Sequence, residues 1–152
     1  VETLIVRAGH QIALSDGTVI DVLHPSAQPA IDDSMDASSL VLRLRLDQRS
    51  VLLTSDLSAE GQQALLAAGQ WPLADVMQVP KQGTVRSLDT AFLMAAQPQL
   101  LLLQSDKANR RGDPDPDTLA LLGSSSLFRT DEQGAIHVWT DGTGLWVQPE
   151  VQ

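Results

Sequence analysis

Few residues in this chain are placed to do chemistry. Asp56 closes the run Ser50-Val51-Leu52-Leu53-Thr54-Ser55-Asp56, and Lys81-Gln82 follow Asp75-Val76-Met77-Gln78-Val79 inside a Pro80-x-x-Gly83 loop. Each run reads as a short apolar strand that ends in a polar corner, which is where α/β folds place ligands and reacting groups. An Asp in that position has two readings: a functional carboxylate, or a cap for the turn or helix that follows. Lys81, Arg110 and Arg111 are the cations suited to phosphate, Arg through its bidentate fork. A solvated surface role fits the same three cations in so acidic a chain.

Other chemistries are excluded by spacing. His10, His24 and His137 have no second His or carboxylate at the intervals a metal motif needs, so each reads as structural. Gly-x-Ser-x-Gly is absent and no His is placed as its base, and neither Gly-x-Gly-x-x-Gly nor Gly-x4-Gly-Lys-Ser occurs. Asp32, Asp33 and Asp36 lack the plan of a calcium loop and its closing Glu, so they read as a solvated loop. Zero cysteines remove disulfides and thiolate metal sites. The net charge of −9 opposes non-specific nucleic-acid binding, which depends on Lys and Arg displacing counterions.

The elements that position these residues follow from local pattern. At 152 residues and 43% apolar content the chain has enough material for one cored domain. No run approaches the roughly 18 apolar residues of a membrane span, so the chain alone is expected to be soluble. It begins at Val1 rather than Met, and the expectation is a piece of something longer. Strands are predicted over Thr3–Arg7, Gln11–Leu14 and Thr18–Leu23, the last two joined by Ser15-Asp16-Gly17, with His24-Pro25 closing the meander. Residues 26–37 read as a loop. Leu40, Leu42, Leu44 and Leu46 alternate with Val41, Arg43 and Arg45, giving a strand with one apolar and one partly basic face. Ser58 is predicted to cap a helix ending near Gly69, Ser87 to cap a second that Pro98 stops, and Asp115-Pro116 to start a third running to Leu122. Strands at Val76–Val79 and Leu100–Gln104 alternate with these helices, and Leu127–Thr130, Ala135–Thr140 and Leu145–Val147 form a final meander.

A family resemblance rests on these residues taken in order. Leu23-His24-Pro25, Ser38-Ser39-Leu40-Val41-Leu42, Leu52-Leu53-Thr54-Ser55-Asp56, Asp75-Val76-Met77-Gln78-Val79-Pro80-Lys81-Gln82-Gly83-Thr84, Asn109-Arg110-Arg111-Gly112-Asp113-Pro114 and Phe128-Arg129-Thr130-Asp131-x-x-Gly134 resemble the C-terminal part of the metallo-β-lactamase-like domain of ComEC competence proteins. The resemblance spans nearly the whole chain. It implies a membrane parent that takes up DNA, with this domain extracytoplasmic, and a hydrolase-like site that holds zinc or manganese in the family. It also marks departures. The family's Gly-Asp is Ser55-Asp56 here, which keeps a metal-bridging carboxylate. Its His-His-Gly-Ser loop is Lys81-Gln82-Gly83-Thr84, which removes the imidazole. Its Gly-His-Pro is Gly112-Asp113-Pro114, where Asp113 still offers oxygen. The His-x-His-x-Asp-His cluster that supplies most ligands lies upstream in the family and has no counterpart in this chain.

The expected fold is therefore α/β (α+β). It is a single metallo-β-lactamase-like half-domain over residues 1–152, a mixed sheet with two to three helices and short β-meanders at both ends, without the upstream half or the membrane channel. Asp56 and Asp113 are remnant metal positions, Lys81 and Gln82 a degenerate ligand loop in which Lys81 can pair with Asp56, and no catalytic residue or cofactor is expected in the chain. Three functions stay open: a ComEC-like part with a degenerate site, an active metal nuclease or phosphodiesterase completed by an upstream half, and a non-catalytic interaction module. Expected partners are DNA, held weakly and lost as salt rises, and the remainder of the parent protein. A homo-oligomer or swapped dimer is expected to cover the apolar sheet face that lacks its other half.

Overall fold

The structure, a computed structural model, describes residues 3–27, 34–108, 111–123 and 126–151. Strands β1 (Gln11–Ala13), β2 (Val19–His24), β3 (Val41–Leu46) and β4 (Arg49–Leu53) run antiparallel in chain order. The same seven-stranded sheet continues through β5 (Val76–Gln78), β6 (Leu100–Leu103) and β7 (Ser126–Arg129), all parallel to β4. The connections cause this switch. The Asp47-Gln48 turn forces antiparallel pairing, whereas α1 (Ala59–Ala67), α2 (Thr90–Ala96) and α3 (Pro116–Leu122) each carry the chain back to the start of the next strand. One helical turn, α4 (Thr130–Gln133), then precedes a separate hairpin of β8 (Ile136–Thr140) and β9 (Leu145–Pro149). The architecture is mixed α/β, as expected, with α4 added to the three helices the sequence predicts.

Residues directly opposite across paired strands share a face, so register divides the sheet into two sides. Arg43, Leu52, Met77, Leu101 and Leu127 form one row, and Leu44, Val51, Val76, Leu100 and Ser126 form a row on the other side. The apolar members of the first row, with Val41 and Leu103, pack against Leu57, Leu65, Leu88, Phe92, Ala96 and Leu122 of the helical layer. Burying each such side chain stabilises the fold by about 1.5–3 kcal/mol. The second side is equally apolar but half open: Leu42, Leu44, Val51, Leu102 and Phe128 are half-buried, and Leu53 is 37% exposed. In β3 the leucines thus point to the open side, and Val41, on the basic side of the pattern, is the residue in the core.

Four local expectations are corrected. The final three strands do not form a meander: β7 lies parallel to β6 in the main sheet, because α3 returns the chain to the start of that edge, and only β8 and β9 pair as a hairpin. Thr3–Arg7 is not a strand: the Ala8 and Gly9 amides donate to the Pro25 and Val22 carbonyls, so residues 3–7 run past the end of β2, and Leu4 and Ile5 are exposed. Ser87 does not cap α2. Gln62 Nε2 donates to the Ser87 carbonyl at 2.7 Å and Gln62 Oε1 accepts from Asp89 N at 2.8 Å, which holds the chain extended so that Asp89 becomes the cap and bonds Phe92 N. Thr130 leaves the strand to begin α4, because Gln133 Oε1 turns back to accept from Arg129 N. Asn109, Arg110, Asp32 and Asp33 lie outside the described residues.

Candidate functional site

The parallel strands β4, β5 and β6 end side by side, and one glutamine ties the ends together. Gln78 Oε1 accepts from the Thr54 and Ser55 amides, the Gln78 carbonyl accepts from Thr54 Oγ1 at 2.8 Å, and Gln78 Nε2 donates to Gln104 Oε1 at 2.8 Å. Ser55 then takes a left-handed conformation, φ 51°, and Asp56 is exposed with no side-chain partner among the described residues. The Ser55 carbonyl accepts from Lys81 N at 3.1 Å, so the two strand-end loops adjoin.

The Lys81-Gln82-Gly83 loop is left-handed throughout, with φ of 48°, 57° and 71°. For the two non-glycine residues that conformation costs of order 1–2 kcal/mol each, and packing around the loop must hold it. Gly83 is required: a Cβ there would lie 3.0 Å from Pro114 Cβ and 3.2 Å from Leu103 Cδ1. That approach, with the Gly83 carbonyl accepting from Asp115 N at 2.8 Å, seats the third loop beside the second. Ser105 Oγ donates to the Asp113 carbonyl at 2.8 Å, and Asp113 is half-exposed. Asp56, Lys81-Gln82 and Asp113 are thus gathered on adjoining loops at one end of the sheet.

Lys81 does not pair with Asp56. Its Nζ lies 2.6 Å from Asp36 Oδ2, and both side chains are partly exposed. Asp36 reaches it because the segment 34–39 is docked on the start of α1. Ser58 N donates to the Asp36 carbonyl, His24 Nε2 donates to the Ala37 carbonyl at 2.8 Å, and a Cβ on Gly61 would sit 2.8 Å from that oxygen. Glu60 lies nearby and its carboxyl is held below the usual range, first by its own backbone amide, then by the Ser58 hydroxyl, with Lys81 a smaller contributor. Arg111 is exposed, and Arg110 lies outside the described residues.

The Lys81 ammonium has no lone pair to offer a metal and is bonded to the Asp36 carboxylate, and no group of three His, Cys, Asp or Glu side chains gathers among the described residues. Of the histidines, His24 is buried and its Nε2 donates to the Ala37 carbonyl, His10 accepts from Arg7 N, and His137 is exposed on β8.

A second charged cluster lies on the helix-bearing side of β2 and β3, toward the starting end of the parallel strands. Asp21 is 5% exposed and accepts from Gln11 Nε2 at 2.7 Å, from Arg43 Nε and Nη2 at 3.2 and 3.1 Å, and from Arg45 Nε and Nη2 at 2.6 and 3.0 Å. The Arg45 bonds, more than any other, hold its carboxyl below the usual range. Arg49 Nη1 meets Asp75 Oδ1 at 3.2 Å, while Asp75 Oδ2 accepts from Ser50 N. Sequence reading missed this cluster. Its signal is the pairing of β2 with β3, which sets Asp21 opposite Arg43.

No family model matches the chain. Among curated proteins it is similar to ComE operon protein 3 of Bacillus subtilis (strain 168), 34% identical over 134 residues, which is 86% of this chain and 17% of that protein. It is also similar to competence protein ComA of Neisseria gonorrhoeae, 29% identical over 136 residues, 88% of this chain and 19% of that protein. The chain spans less than a fifth of the length of either relative.

Proposed function

We propose, from the premise that the chain belongs with the ComEC-family competence proteins, that it is the C-terminal half of an extracytoplasmic metallo-β-lactamase-like unit serving DNA uptake, with its metal site degenerate in this half. The observation that carries the reading is the Lys81–Asp36 bond: the loop matching the family's ligand loop places a cation where a metal would sit and neutralises it internally. Asp56 and Asp113 are then remnant ligand positions, hard oxygen donors able to hold magnesium or manganese only loosely and through water. No helix among the described residues is long and apolar enough to cross a membrane.

One observation favours the active-enzyme alternative. Asp56 is exposed and unpartnered among the described residues, as a ligand awaiting the upstream half would be. The two readings separate in a chimaera of full-length ComE operon protein 3 that carries this chain in place of its aligned segment. Transformation at near-parental frequency is expected, and a stably expressed chimaera that fails to transform overturns the reading. Asp56→Ala in that chimaera lowers transformation only if the active-enzyme alternative holds. The isolated chain is proposed to self-associate through the half-open face around Leu53, Leu102 and Phe128, and a light-scattering mass of one chain at micromolar concentration would count against that.

A further inference from the structure

The seven-stranded sheet finishes its two edges differently. At β7 the Arg129 amide donates to Gln133 Oε1, and the Arg129 side chain is bonded to Asp131 and Glu132, so that edge is partly capped and flanked by charge. At β1 neither device is present. Val22 N donates to the His10 carbonyl and Leu14 N to the Thr18 carbonyl, so the backbone groups of residues 10, 12 and 14 turn toward β2. Those of Gln11 and Ala13 therefore point outward, and among the described residues neither amide has an acceptor. Gln11, Ile12 and Ala13 are all exposed, and none carries a charge. An open edge of this kind is a template for another strand, and sheets ordinarily blunt it with charge, proline or a covering segment.

The pattern of β1 selects its own copy as the strand to be added. With two copies antiparallel about a two-fold axis at Ile12, Gln11 of each protomer stands opposite Ala13 of its partner, and both outward pairs exchange their N–H and C=O bonds. Ile12 then faces Ile12 across the axis on the open side of the sheet, the side of Ile20 and Leu44, and the apolar strip runs on from one protomer to the next. A slip of one residue would turn Ile12 against the polar Gln11 side, so the register is specified. Arg7 and Asp16 lie beyond opposite ends of β1, Asp16 exposed and the Arg7 guanidinium without a partner among the described residues. Antiparallel pairing carries the Arg7 end of each strand to the Asp16 end of the other, which complements charge at both ends.

We propose that β1 is a homodimerisation edge, where a second copy of this chain adds its β1 antiparallel and in register at Ile12. The contact lies at the sheet edge opposite β7, and it is distinct from the half-open face around Leu53, Leu102 and Phe128.

The chain has no cysteine, so one introduced thiol reports the axis. Across the two-fold the Cα atoms of residue 12 stand about 4.5 Å apart, inside the span of about 4.4–6.8 Å that a disulfide bridges. The two copies of residue 14 are separated by about 13 Å along the strands. Under a mild oxidant Ile12→Cys forms a covalent dimer at least about 10-fold faster than Leu14→Cys, although Leu14 is the more exposed, 45% against 36%. Ala13→Pro added to Ile12→Cys removes an outward amide but no bond to β2, so it abolishes the cross-link and leaves the urea midpoint unchanged. Arg7→Glu slows cross-linking, more at low salt than at high. If Ile12→Cys does not fold, sedimentation carries the comparison: the parental chain shows a concentration-dependent dimer and Ala13→Pro a monomer. Equal cross-linking rates at positions 12 and 14 overturn the edge, as does a cross-link that survives Ala13→Pro. So does a parental chain that is monomeric at every concentration. A dimer whose mass Ala13→Pro leaves unchanged also overturns it, and assigns the association to the half-open face instead.

Discussion

The molecule holds its charges in two contrasting ways. On the helix-bearing side of β2 and β3, one buried carboxylate, Asp21, is fixed by two guanidiniums and an amide. At the ends of β4 and β5, Lys81 and Asp36 make a single partly exposed bond between two loops, while Asp56 stands free among the described residues. The first cluster is architecture: removing one member strands two cations in a partly desolvated place. The second is a latch between loops, and little of the fold depends on it. Residues at the exposed end of the sheet can change without disturbing the buried cluster.

The strongest way to break this comparison is Asp21→Asn. A fully buried pair that loses one partner costs about 3–5 kcal/mol; Arg45 is 42% exposed, so about 2–4 kcal/mol is expected here, read as a lowered urea midpoint at unchanged slope. A loss no larger than that of a surface substitution would show that the cluster is not structural.

Acid sharpens the same point. The folded carboxyl of Asp21 is held below its unfolded value of about 3.9, so its contribution is present above that value and is lost as pH falls through the lower, folded one. Stability profiles of the parental chain and Asp21→Asn should differ fully at pH 7 and converge only below about pH 4. Convergence near neutrality would assign the effect to another group.

Lys81→Met should cost at most about 1 kcal/mol, since its pair with Asp36 is partly exposed. Its clearer consequence is kinetic: proteolysis within residues 34–39 should quicken, because that segment loses a tie to the Lys81-Gln82 loop. An unchanged cleavage rate would mean that His24 and Ser58 hold the segment unaided.

The smallest effect is expected at Asp56. Purified chain should contain no stoichiometric transition metal and show no phosphodiesterase activity with added zinc or manganese, so that Asp56→Ala changes nothing measurable. About one or two metals per chain, with hydrolysis lost in Asp56→Ala, would reverse the order of the two functional readings.

What the sequence determined by itself is what neighbours along the chain decide. Ser58 and Asp115-Pro116 start helices because a side-chain oxygen or a proline acts within one turn, and both do so in the structure. The order of strands and helices, and the polar corners at Ser55-Asp56 and Lys81-Gln82, follow from alternation and loop composition in the same way. Tertiary structure alone decided the rest. Lys81 finds Asp36, 45 positions away, rather than Asp56 on the adjoining loop. Val41 rather than the leucines of β3 enters the core, because alternation defines two faces but cannot say which one the helices cover. Asp21 meets Arg43 and Arg45 only once β2 and β3 are in register, and Trp139 comes to line a cavity with Arg45 and Arg49 only when the final hairpin folds over the sheet. The physical reason is common to all four: a cap or turn is fixed by backbone sterics over a few residues, whereas the partner of a charge or an exposed ring is chosen through space, by whichever segment the finished fold brings within reach.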